Sequence, residues 1–232
     1  MGVWIFGSGK KSFRGISMIN EQSEQKYFDH MRPEMVQFLP DEYSKILEIG
    51  CNVGNFRQYV NKSCEYWGVE PFDKAVEIAK TRLDKVLVGF YNEVEYQIPD
   101  NYFDLIIAND VIEHIEQPWD FLQSLKKKMT KNASLVLSIP NVRYYGNLKE
   151  LLHEKDWRYK EEGILDITHL RFFTEKSIIR LLNENGFDIE KMQGINPVKI
   201  RKRKNLPIYW LIKFILGRDI EFMQFGVRVK KL

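Results

Sequence analysis

A glycine turn and a distant carboxylate are the first groups in this chain that could do chemistry. Residues 45–54 read Lys-Ile-Leu-Glu-Ile-Gly-Cys-Asn-Val-Gly, and Glu70 closes the run Tyr66-Trp67-Gly68-Val69-Glu70. Gly50 and Gly54 let the chain turn sharply and bring backbone close to a ligand. A strand, a glycine turn, a helix and a second strand ending in an acid make half of a nucleoside-binding α/β fold. The Glu70 carboxylate can accept hydrogen bonds from both hydroxyls of a ribose. The glycine spacing separates two ligand types. A dinucleotide loop reads G-x-G-x-x-G and faces a pyrophosphate. Here the spacing is E-x-G-x-x-x-G, with Glu48 just before the turn. A carboxylate there repels pyrophosphate and suits a ligand carrying an ammonium group and a sulfonium. Asn52 stands within the turn, and asparagine is among the few residues that tolerate positive φ.

A second group of candidates could move a proton. His114 follows Glu113, and His169 stands near Asp166 and Arg171. Histidine titrates in the range useful for proton removal. The alternative for each is structural: His114 as a packing or capping residue, His169 as a tie between a lid and the sheet. Asp110, Glu113 and His114 also have the spacing of one helical turn and could bind a divalent cation. Nothing else nearby in sequence completes such a site, so no metal is expected. Between them, Arg143, Tyr144, Tyr145, Trp157, Arg158 and Tyr159 could stack on sugar faces and bind hydroxyls or phosphates. They could equally pack a small cap on one another.

These residues need a scaffold, and hydrophobic periodicity supplies one. Residues 21–39 read as a helix with Tyr27, Phe28, Met31, Met35 and Phe38 on one face. Ile46, Leu47 and Ile49 make a buried strand. A helix starts near Asn55 with Phe56, Tyr59 and Val60 together, and the Glu70 strand follows. Asp73 can cap a second helix with Val76, Ala79 and Leu83 inward. Strands are expected at 86–88, 103–108 and 135–139. Pro118 opens a helix between the last two of these, with Phe121, Leu122, Leu125 and Met129 inward. Thr174 caps a helix that Gly186 stops. Strands at 187–193 and 221–230 form a final hairpin. Such alternation predicts a mostly parallel sheet with helices on both faces. Residues 141–172 and 195–219 fall outside this scaffold and read as insertions, the first as a substrate lid.

The glycine turn with Glu70 resembles motif I of the class I S-adenosylmethionine-dependent methyltransferases, with Asn52 where glycine is usual. The run from Phe103 and Asp104 to Glu113-His114 is similar to the end of the fourth strand in many small-molecule methyltransferases. Ser138-Ile139-Pro140-Asn141 and the run from Asp166 to Thr174 resemble bacterial members associated with glycosyltransferase and surface-polysaccharide genes. The resemblance covers roughly residues 24–194. It implies a Rossmann-like, seven-stranded, mostly parallel sheet whose last strand is antiparallel, and S-adenosyl-L-methionine as cofactor. It places Glu48, Gly50, Cys51, Asn52, Gly54, Glu70, Pro71, Phe72, Phe90, Asn109 and Asp110 around that cofactor. Gly50 is assigned to the methionine portion, Glu70 to the ribose and Phe72 to an adenine wall. Phe90 and Tyr91 should flank the adenine. The acid usual after the third strand is missing, and Glu93 is the nearest carboxylate. Methyl transfer then makes His114 the first candidate base and His169 the second. The implied reaction is O-methylation of a sugar, nucleotide-sugar or glycolipid. The alternatives are a quinone-type or other small-molecule O-methyltransferase, and a non-catalytic cofactor-binding partner of a glycosyltransferase.

The chain has 232 residues, 29% charged and 44% hydrophobic, which suits one soluble domain with a sizeable core. A net charge of +3 is too small to argue nucleic-acid binding. Two cysteines, Cys51 and Cys64, give no disulfide framework and fit a reducing cytoplasm. Residues 1–20 read as a loose arm ahead of one domain over 21–232. Lys199, Arg201, Lys202, Arg203 and Lys204 run into Ile208-Tyr209-Trp210-Leu211-Ile212-Lys213-Phe214-Ile215-Leu216. As a helix this segment would carry Asn205, Tyr209 and Lys213 on its polar side. It would either touch the inner membrane surface over residues 199–216 or pack on its own domain or on the second subunit of a homodimer.

Overall fold

The computed structural model describes residues 31–198 and 206–232. The expected N-terminal arm, Tyr27 and Phe28 of the first expected helix, and the basic cluster at 199–204 lie outside them. The strands are β1 (Lys45–Ile49), β2 (Glu65–Glu70), β3 (Lys85–Val88), β4 (Phe103–Asn109), β5 (Met129–Pro140), β6 (Phe187–Pro197) and β7 (Phe222–Lys231). The helices are α1 (Asp73–Ala79), α2 (Tyr91–Val94), α3 (Pro118–Lys128), α4 (Tyr145–Lys149), α5 (Glu175–Glu184) and α6 (Leu206–Leu216).

All seven strands join one sheet in the order β3-β2-β1-β4-β5-β7-β6. The pairs from β3 through β5 are parallel, and β7 runs antiparallel to both β5 and β6. This is the Rossmann-like architecture the sequence implied. The chain reverses direction across the sheet between β1 and β4, and that is where ligands enter such folds.

The near-continuous apolar runs of β1 and β4 are what a sheet covered on both faces requires. Alternation then sorts their side chains. Leu47, Ile49 and Ile106 pack toward Leu122, Leu125 and Leu182 on one face. Ile46, Leu105 and Ile107 pack toward Met35, Phe38 and Tyr66 on the other. The Thr174 cap forms as expected: Ser177 N–H donates to Thr174 Oγ1 at 3.2 Å, and Thr174 N–H donates to Ser177 Oγ at 2.8 Å. Gly186 follows with φ of 71°.

Several elements differ from expectation. Within the described part of residues 21–39 the only regular element is a 3-10 helix, Pro33–Phe38. The element after the glycine turn is also a short 3-10 helix, Asn55–Tyr59, and Val60 is already extended. Burial of Phe56 and Val60 does not need helical periodicity, so it misled on type. Phe72, not Asp73, holds the position before α1, and no side chain caps it. β5 starts six residues earlier than expected, with a register irregularity opposite Phe103 and Leu105.

The two insertions are tied together. Residues after β5 form α4 and one π-helical turn, Glu150–Glu154. Tyr145 meets Tyr209 of α6 edge-on at 5.2 Å between ring centroids. Arg143 donates to Asp219 Oδ2 and to the Leu216 carbonyl, both at 2.5 Å. Asn141 Nδ2 donates to the carbonyls of Asp219 and Phe222. Among the described residues, no helix is long and apolar enough to cross a membrane.

Candidate active site

The strand order brings the ends of β3, β2, β1 and β4 side by side. The turn after β1 holds Gly50 at φ of 74°, Asn52 at 49° and Gly54 at 74°. Asn52 therefore adopts the conformation for which glycine is usual, and its Oδ1 accepts from the Val53 N–H at 2.7 Å. Glu70 is buried at the end of β2. Its Oε2 accepts from Asn52 N–H at 2.9 Å, and its Oε1 accepts from Phe72 N–H at 3.1 Å. The expected ribose ligand thus also fixes the turn. Burial raises its carboxyl to about 7 against the pull of those two N–H groups.

Glu48 lies beneath the turn and accepts from the Tyr66 hydroxyl at 2.8 Å. Burial pushes it to about 8, with Tyr66 opposing and the Glu70 charge adding. A carboxyl neutral near pH 7 weakens the charge argument against pyrophosphate made from sequence. Cys51 turns inward over Gly68, where an added Cβ would stand 2.5 Å from its Sγ. Burial, with Glu48 and Glu70 nearby, drives its thiol well above the usual range, so only its backbone can serve a ligand.

Of the residues expected to face adenine, Pro71, Phe72 and Phe90 are half-buried at the ends of β2 and β3. Tyr91 is a correction. It is buried, meets Phe121 edge-on at 5.3 Å and shares a 2.6 Å hydrogen bond with Ser124, so it packs the core instead of flanking a base. Glu93 spends Oε2 on the Phe90 N–H at 2.9 Å, closing the first turn of α2.

At the end of β4, both Asn109 side-chain polar atoms are buried without a hydrogen-bond partner among the described residues. Leaving such an amide unpaired costs about 1–3 kcal/mol, so the site fits a polar ligand atom there. Asp110, at φ of 54°, turns away toward β5 and β7. Its Oδ1 accepts from Ser138 Oγ at 2.9 Å and Gln224 Nε2 at 2.7 Å, and its Oδ2 pairs with Arg32. Asp110 is therefore not on one turn with Glu113 and His114, and the cation set read from their spacing does not form.

A different cluster does form. Glu113, His114 and His169 are all buried. The Glu113 carbonyl accepts from the N–H groups of Leu170 and Arg171, which pins the first insertion to the sheet. The imidazoles meet edge-on at 4.7 Å. His114 Nδ1 faces the Thr168 carbonyl at 3.1 Å, and His169 Nδ1 faces the Ile164 carbonyl at 2.9 Å. A carbonyl can only accept, so each Nδ1 carries the proton and each Nε2 keeps its lone pair. His169 Nε2 stands 3.9 Å from Glu113 Oε1, and both Glu113 oxygens lack a hydrogen-bond partner among the described residues. Burial, aided by His169, pushes His114 down to about 3, and burial pushes Glu113 up to about 8. The donor atoms lie within 4.8 Å of one another. Ligands on a zinc ion with bonds of ~2.1 Å stand about 3.4 Å apart, so a cation would have to draw these three closer.

The first insertion divides. Arg143 and Tyr145 are occupied by the second insertion, as described above. Trp157 and Tyr159 gather around Phe172, and Arg158 is exposed beside Asp156. Sequence reading missed Arg32, Thr168 and Gln224. Arg32 and Gln224 meet Asp110 from opposite ends of the chain, a relation that no local pattern carries.

Comparison with known proteins bears on the family and the fold. Residues 21–192 match a family model described as a methyltransferase domain. The chain is 32% identical over 167 residues to the mitochondrial ubiquinone biosynthesis O-methyltransferase of Schizosaccharomyces pombe, covering 67% of this chain and 60% of the relative. It is 24% identical to malonyl-[acyl-carrier protein] O-methyltransferase 1 of Ilyobacter polytropus, covering 82% of this chain and 71% of that one. The chain thus spans less than two thirds of the yeast protein. The fold matches a SAM-dependent methyltransferase from Archaeoglobus fulgidus at a TM-score of 0.58 and 17% identity, with 90% of each chain covered. It matches an S-adenosylmethionine-dependent methyltransferase from Mesorhizobium loti at 0.59 and 15% identity, covering 86% of this chain and 96% of that one. This chain belongs to the methyltransferase domain family, and its fold is that of S-adenosylmethionine-dependent methyltransferases.

Proposed function

We propose that this protein transfers the methyl group of S-adenosylmethionine to a hydroxyl of a small-molecule acceptor, and that the hydroxyl is phenolic. The cofactor supplies an activated methyl on a sulfonium. The chain's part is alignment and proton removal. The Gly50–Gly54 turn and Glu70 would hold the nucleoside and methionine ends, and Asn109 would use its unpaired amide on the ligand. With the cofactor bound there, the acceptor oxygen would lie in line with its methyl–sulfur bond, and S-adenosylhomocysteine would be the leaving group. The hydroxyl proton passes to a His114 or His169 Nε2.

The observation that carries the reading is the buried pair His114 and His169, whose rings meet edge-on at 4.7 Å just beyond the end of β4, where a proton acceptor is needed. A phenol titrates at about 10, like tyrosine, well below an ordinary alcohol, so it asks least of a histidine base. Relatives named as ubiquinone biosynthesis O-methyltransferases support the same acceptor class. A sugar or glycolipid hydroxyl is the second reading, supported by the Tyr159 ring, which stays half exposed on the first insertion. Methyl-labelled cofactor should be offered with catechols and with nucleotide-sugars. Transfer to catechols alone supports the phenolic reading, and transfer to sugars alone reverses it. Cofactor binding with no transfer to any acceptor, alongside capture of a glycosyltransferase, would favour a non-catalytic role.

A further inference from the structure

The second insertion is not consumed by the site, and it carries a surface of its own. The sequence expectation put Tyr209 and Lys213 on the outer, polar side of α6. The structure turns the helix the other way. Tyr209 is buried against Tyr145, and Lys213 reaches Glu221 at 2.7 Å. The outward stripe is instead Trp210, Leu211, Phe214 and Ile215, with exposures of 56%, 60%, 88% and 68%. This spacing aligns them along one side of the helix. The stripe is not a fold defect left at a loose end. Arg143 holds the last turn of α6 through the Leu216 carbonyl and holds Asp219 just beyond it.

Charge decides what would cover this stripe. In sequence, Lys199, Arg201, Lys202, Arg203 and Lys204 stand directly before α6, and Arg218 follows it. The nearest acids after the helix are spent: Asp219 on Arg143 and Glu221 on Lys213. A second copy of this chain would cover the stripe but bring no counter-charge for the cluster, since Asp219 and Glu221 are already paired. Nucleic acid would take the cations and leave the apolar stripe wet. An anionic bilayer takes both, with cations at the headgroups and Trp, Leu, Phe and Ile at the acyl boundary. Eleven helical residues span about 16 Å, roughly half a hydrocarbon core, so the helix must lie flat.

We propose that α6 is a docking surface for anionic phospholipid membranes, with Trp210, Leu211, Phe214 and Ile215 entering the headgroup–acyl boundary. Because α6 packs on the first insertion, docking brings the segment that carries His169 near the membrane. The docking stands whatever acceptor is methylated.

Flotation of the full chain tests it, using phosphatidylcholine vesicles with and without phosphatidylglycerol. The protein should float with the anionic vesicles at low salt, and high salt should release it. The W210S/F214S double substitution should weaken partition by roughly 30–100-fold. Both residues are exposed, so the melting temperature and binding of S-adenosylhomocysteine should stay unchanged, which separates lost docking from lost folding. Quenching of tryptophan fluorescence by brominated lipid should appear in the wild type and fall in the double variant. Folded protein that stays at the bottom of the gradient at low salt overturns the proposal. So does flotation indifferent to the double substitution. A dimer that the same substitution dissolves, without flotation, would assign the stripe to a second copy. RNA binding without flotation would assign the cluster to nucleic acid.

Discussion

The two sides of the crevice are built on different principles. On the β1–β2 side, polar groups are satisfied by neighbouring backbone and by one tyrosine hydroxyl. Glu70 bridges the N–H groups of Asn52 and Phe72, and Glu48 takes the Tyr66 hydroxyl. On the β4–β5 side, buried polar groups are left wanting. Among the described residues, nothing pairs the two polar atoms of Asn109 or either oxygen of Glu113, which faces two histidines. A satisfied region holds its shape before a ligand arrives. An unsatisfied one gains most when a ligand does, because each buried orphan costs free energy until it is paired. The first arrangement suits a cofactor common to a family. The second suits the acceptor and the proton that must leave it.

Separating the two sides by substitution is the sharpest way to break this comparison. The largest effect is expected on the β4–β5 side. His114→Ala should lower turnover by about 100-fold or more with little change in S-adenosylhomocysteine affinity. Turnover near wild type would move the proton to His169, and the same assay with a chelator would expose any cation drawn into the cluster. On the β1–β2 side, Glu70→Ala should weaken S-adenosylhomocysteine by ~1.5–3 kcal/mol in calorimetry. An unchanged affinity would leave Glu70 as a brace for the turn only.

The buried acids also make a signed statement about pH. Glu48 and Glu113 are raised to about 8 and Glu70 to about 7. Each folded value lies above the unfolded one. Their contribution is therefore whole below the unfolded carboxyl range and is lost as pH rises through about 7 to 8. His114, lowered to about 3, works the other way and contributes more as pH rises toward its ordinary value of 6.5. Between pH 6.5 and 8 only the acids still titrate among these groups. The melting temperature should fall across that interval, and Glu113→Gln should flatten the fall. A flat wild-type profile would contradict the burial of these carboxyls.

The smallest effect lies in the scaffold. Thr174→Ala removes a reciprocal cap and should cost about 1 kcal/mol in denaturant unfolding, without touching cofactor affinity.

What the sequence disclosed follows the same division. The strands were legible because β1 and β4 are apolar on both faces. The turn was legible because its residues are contiguous and Asn52 can take a positive φ. The Thr174–Gly186 helix announced both its ends. The acceptor side was not legible, because its contacts join distant parts of the chain. Asp110 is claimed by Arg32 from before β1 and by Gln224 of β7. His169 reaches Glu113 only because the insertion's backbone bonds the end of the fourth-strand segment. Tyr91 and Tyr209 were assigned by type, and each has a hydroxyl that can go inward with its ring. Helical spacing alone could not say which stripe of α6 meets the domain.

The family reading rests on one ligand, so a calorimetric titration of the unaltered full chain tests it most directly. S-adenosylhomocysteine should bind saturably at one site per chain, and NAD should give no heat of binding. NAD binding in the absence of any S-adenosylhomocysteine binding would contradict the assignment of the Gly50–Gly54 turn and Glu70.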